Sequence, residues 1–74
     1  MENKLLLNKE LYNNDAVMKT IRVFGELAEI CLSETDEYYE LIFCNCKVNT
    51  TRTIREFENY VLIETIQNAG DLYA

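Results

Sequence analysis

Three cysteines are the residues in this chain closest to a reactive or metal-binding pattern, and two of them, Cys44 and Cys46, flank a single asparagine. Structural metal sites pair their cysteines across two or more intervening residues and complete the coordination with further thiolates or imidazoles. Cys44-Asn45-Cys46 is tighter than that, Cys31 is the one thiol left over, and the chain has no histidine. In an extended strand the two side chains share a face and stand about 7 Å apart, too far for easy bridging. They are expected to be small core residues. The missing histidine also removes the usual general base and every triad built on it. Glu34, Asp36 and Glu37 are a close group of acids, but in a polar turn they lack the burial that tunes a catalytic carboxyl. Gly25 and Gly70 stand alone, so no glycine-rich loop can cradle a phosphate. Lys47, Arg52 and Arg55 gather near one element end; a helix N-terminus beside two arginines could hold a carboxylate or phosphate, and solvated charge around a loop is the plainer reading. No catalytic, cofactor or metal site is expected, and no enzyme.

What remains informative is apolar surface. Residues 53–70 predict a helix: Thr53 and Glu56 have the spacing of a capping box, and Gly70 follows the last apolar position. At about 100° per residue, Ile54, Phe57, Val61, Leu62 and Ala69 gather on one side, while Tyr60, Ile63 and Ile66 fall beside or opposite it. One side suits a core and the other a partner; cover from this chain's own elements is the competing expectation for Tyr60 and Ile63.

Leu5, Leu6 and Leu7 predict a short first strand. Asn13, Asn14 and Asp15 supply N-cap candidates and an acid for the first turn ahead of Val17, Ile21, Phe24 and Ala28, a first helix ending near Leu27. Gly25 inside it implies close packing or an early end. Residues 30–33 and 38–48 are β-prone runs joined by a stretch of hairpin length, and are expected to pair antiparallel. In the second run Tyr39, Leu41 and Phe43 point to one face and Ile42, Cys44, Cys46 and Val48 to the other, so neither face is cleanly polar. The predicted class is α+β: a small β-α-β-β-α sandwich with a three-stranded, mostly antiparallel sheet, its long strand central and two helices on one face. The other face is left for another molecule.

Composition bounds the function. Seventy-four residues suit one domain, 1–74, and a chain this short buries only about 60% of its unfolded surface, so association readily supplements its stability. A homodimer or hetero-complex is expected. The net charge of −6 works against nucleic acid, whose backbone it would repel. No run approaches the roughly 20 apolar residues of a membrane span, and no secretory signal pattern opens the chain. An odd number of cysteines suits reduced thiols, and a cytoplasmic protein is expected.

Leu11-Tyr12, Ala16-Val17, Lys19 and Phe24 at the first helix, with Glu56-Phe57-Glu58-Asn59-Tyr60 and Leu62 at the second, resemble the HxsD-like family, small proteins encoded beside radical SAM enzymes in peptide-maturation cassettes. The likeness runs over nearly the whole chain, with Phe57, Asn59 and Leu62 as signature positions; the basic residue the family often carries afterwards is absent, Glu64 and Thr65 standing nearby. The resemblance implies a non-catalytic accessory protein for ribosomal peptide modification, acting with a radical SAM maturase or the precursor peptide. Partner contacts are then expected at Tyr60, Ile63 and Ile66 and at the sheet edges, represented by Leu6 and Cys31, where an extended leader peptide could add by main-chain hydrogen bonds. The other readings are a self-associating structural module unrelated to peptide maturation and a small thiol enzyme or redox carrier.

Overall fold

Alternation of large apolar residues at 39, 41 and 43 makes one strand the axis of the structure. A computed structural model describes residues 3–69 as β1 (Lys4–Asn8), α1 (Asn14–Phe24), β2 (Glu29–Glu34), β3 (Tyr38–Cys44) and α2 (Thr50–Ala69). The sheet order is β1-β3-β2, with β3 antiparallel to both neighbours. The fold is thus a small α+β fold with one open three-stranded sheet and two helices. β1 and β2 run parallel to each other on either side of β3, so β1-α1-β2 is a split β-α-β unit.

Side-chain alternation assigns the two sheet faces. Leu5, Leu7, Tyr39, Leu41, Phe43, Ile30 and Leu32 share the face under the helices; Leu7, Tyr39, Leu41 and Phe43 are buried there with Val17, Phe24, Phe57 and Val61. Phe57 sits at the centre. Its ring meets Phe43 edge-on at 5.2 Å and Phe24 at 5.3 Å, tying α2 to the sheet and to α1.

The helix ends follow local chemistry. Asn13 caps α1, its side-chain oxygen accepting from the Asp15 and Ala16 amides at 2.8 and 3.2 Å. The helix stops at Phe24, before the expected Leu27, because the Gly25, Leu27 and Ala28 amides turn back onto Arg22 and Phe24 carbonyls. α2 begins at Thr50 rather than at 53. Asn49 is the cap, its Oδ1 accepting from the Arg52 amide at 3.0 Å. Thr53 lies one turn inside, only 3% exposed, with its hydroxyl donating to the Asn49 carbonyl at 2.9 Å. The Thr53–Glu56 spacing is therefore no capping box. Gly70, expected to close this helix, lies outside the described residues.

β3 ends at Cys44, short of the Val48 that its composition suggested. Asn45 takes a left-handed conformation (φ 51°), which asparagine tolerates better than a branched residue, and donates its side-chain amide to Glu29 at 2.9 Å. The backbone then bonds once more to the neighbouring segment, Lys47 N–H to the Leu27 carbonyl at 2.8 Å. In the hairpin, the Thr35 hydroxyl accepts from the Tyr38 amide at 3.0 Å.

Candidate interaction surfaces

The sheet face opposite the helices carries Lys4, Leu6 and Asn8 from β1, Tyr38, Glu40, Ile42 and Cys44 from β3, and Glu29, Cys31 and Ser33 from β2. Among the described residues no element covers it. Leu6, Tyr38 and Cys31 are exposed, Ile42 and Cys44 half-buried, and a Lys4–Glu40 ion pair of 3.3 Å lies between the strands. This is a mixed surface, its apolar residues along β3 interrupted by Glu40.

Hydrogen-bond parity separates the two sheet edges. The Phe43 amide donates to the Asn3 carbonyl at 2.8 Å and the Lys9 amide to the Glu37 carbonyl at 2.9 Å. Bonded and non-bonded pairs alternate along an antiparallel ladder. Odd-numbered residues of β1 therefore bond β3, and the N–H and C=O groups of Lys4 and Leu6, with the Asn8 N–H, point out of the sheet. The Asn8 carbonyl is already taken by the Leu11 and Tyr12 amides. At β2, the Thr35 amide donates to the Tyr38 carbonyl at 2.9 Å, so Cys31 bonds inward to β3, and Ile30, Leu32 and Glu34 face out. Leu6 is an outward edge position as expected; Cys31 is not, although its side chain lies on the open face.

α2 divides its apolar residues differently from the expectation. Ile54, Phe57 and Val61 pack inward, but Leu62, placed on the core side from its spacing, is 43% exposed. Tyr60 goes the other way: its ring meets Phe24 edge-on at 5.8 Å and packs against the core. Ile63 and Ile66 are 55% and 60% exposed. The outward apolar stripe is thus Leu62, Ile63 and Ile66, with exposed Asn59 one turn before Ile63 and Tyr60 at its margin. The placement of Ala69's side chain lies outside what is described. A cleft of about 290 Å³ is lined by Phe24, Leu27, Val48, Arg52, Thr53 and Glu56, and a second, more open hollow by Phe24, Glu56, Asn59, Tyr60 and Ile63. Leu27 was expected at the end of α1 and Val48 on a face of β3; both instead stand in connections and line the cleft.

The candidate chemical groups are dispersed. Cys44 is half-buried on the open face, whereas Cys46 packs against the core, because the left-handed turn at Asn45 breaks the alternation that would have kept them together. Among the described residues no group of three or more Cys, Asp or Glu could hold a metal ion. Arg52 sits in the first turn of α2 and pairs with Glu56 at 3.4 Å, so its charge is already matched, and Glu34 pairs with Lys9 at 3.0 Å. Tyr12 is half-buried where the chain enters α1. Burial, with the nearby Glu58 carboxylate, raises its pKa above the ordinary tyrosine value.

The chain matches no family model, no curated protein and no solved structure. No described helix is long and apolar enough to cross a membrane.

Proposed function

We propose that this protein is a non-catalytic accessory factor in ribosomal peptide modification, binding the leader of a precursor peptide, the radical SAM maturase that acts on it, or both. The observation that carries the reading is where the apolar surface left after folding lies. Leu6 and Tyr38, with half-buried Ile42, cluster on the open sheet face, and Leu62, Ile63 and Ile66 cluster on the outer side of α2; Leu11, Met18, Val23, Leu27 and Val48 are exposed elsewhere. Two such surfaces suit a small adaptor that holds one partner on each. The choice of peptide maturation comes from the HxsD-like pattern around Phe57, Asn59 and Leu62; of these, Asn59 and Leu62 are exposed and free to meet a partner. The proposed setting is cytoplasmic, as ribosomal peptide modification requires.

Co-expression tests this reading. The chain is produced together with the radical SAM enzyme and precursor encoded beside it, and a complex with one of them is expected to survive gel filtration. A chain that elutes alone or only as its own dimer, with both neighbours folded, favours the self-associating module.

A further inference from the structure

The outer edge of β1 differs from the outer edge of β2. β1, Lys-Leu-Leu-Leu-Asn, has no acid in a chain with 13 of them and no bulge or proline, Lys4 being the one charge that guards this edge. β2 begins and ends in glutamate. Topology makes the same distinction. α1 joins β1 to β2 across β3; the same unit repeated from β3 through α2 would place its second strand across β1, on this edge and antiparallel to it. Among the described residues that place is empty. Nearby, the Asn13 amide donates to the Thr65 hydroxyl at 3.3 Å, and the Tyr12 amide bonds back to the Asn8 carbonyl at the end of β1. Thr65 on α2 is thereby tied to the segment that joins β1 to α1, while Tyr60 meets Phe24 of α1 further along the helix. Leu5 and Tyr12 are left half-buried.

We propose that the outer edge of β1 seats an extended peptide, which adds to the sheet as a fourth strand antiparallel to β1, turns apolar side chains toward Leu5 and Tyr12, and is poor in acidic residues. The outward groups of Lys4 and Leu6 and the Asn8 amide supply its main-chain bonds. Its neutral or basic character follows from the net charge of −6. A second copy of this chain carries the same net charge of −6 and is repelled where a neutral or basic peptide is not. The inference deepens the adaptor reading and rests on it only for the peptide's source.

The test selects peptides from a random display library on the full chain and follows a synthesised winner by amide NMR. Selected sequences should alternate apolar residues and avoid acids, and binding should protect the amides of Lys4, Leu6 and Asn8 from exchange while leaving Ile30 and Leu32 unchanged. Leu6→Pro removes one outward donor and should weaken binding about tenfold, provided its circular dichroism is unaltered. N-methylation of the peptide amides facing β1 should do the same with the protein untouched. Protection confined to β2 or the α2 stripe, insensitivity to N-methylation, enrichment of acidic sequences, or failure to select any peptide overturns the proposal. If selected peptides occupy β1 but no neighbouring leader binds, the seat stands and the peptide-maturation reading falls.

Discussion

Phe57 carries more of the structure than any other side chain, since its ring joins both helices and the central strand and is fully buried. Phe57→Ala should cost about 3 to 5 kcal/mol, most of what a domain of this size has to lose. Thermal melting reads it; an unchanged midpoint would place the residue at the surface. Tyr12 adds a pH signature. With its folded pKa above the unfolded value, the protonated phenol is favoured by folding, so this contribution is complete below about pH 10 and is lost as pH rises through the folded pKa. Denaturant titrations should show stability declining at alkaline pH, less steeply in Tyr12→Phe. Equal slopes would mean the phenol is not desolvated. Replacing Cys44 and Cys46 together by Val keeps volume and should cost little, with no metal lost by elemental analysis of the unmodified protein.

Sequence periodicity served the elements well where burial decides them, and poorly where a single cap does. The five elements, their order, the central long strand and the hairpin follow from apolar alternation and Asn13. The start of α2 did not follow, because Thr53 and Glu56 have capping-box spacing while Asn49, three residues before Arg52 and four before Thr53, supplies the actual oxygen. Asn49→Ala should therefore destabilise by about 1 kcal/mol, and Glu56→Ala by much less; the reverse order would restore the later helix start. Asn45 is the second hidden determinant. One left-handed residue ends β3 and separates the two thiols, which strict alternation had placed on one face. Asn45→Val should cost about 1–2 kcal/mol and Asn45→Gly far less, as equilibrium unfolding would show. The misplaced pair Tyr60 and Leu62 has a related origin. An 18-residue helix written on a wheel gives the width of the apolar arc, but which margin is covered depends on where α1 lies, and Phe24 draws Tyr60 inward.

At the scale of the whole molecule, one sheet face, both sheet edges and one helix stripe are left without cover among the described residues. Legible in advance were the open sheet face and the outward position of Leu6; the inward bonding of Cys31 was not, since edge parity is set by pairing register and no residue type encodes it. Ile63→Ser combined with Ile66→Ser should leave the far-ultraviolet circular dichroism and melting midpoint nearly unchanged while weakening association with a maturase or with a second copy. Unfolding of that variant would assign the stripe to the interior. Titration calorimetry of the full chain against the neighbouring leader peptide and radical SAM enzyme tests the proposed adaptor role most directly. Micromolar or tighter binding to at least one is the predicted result; no heat of binding with either, with all components folded, would contradict it.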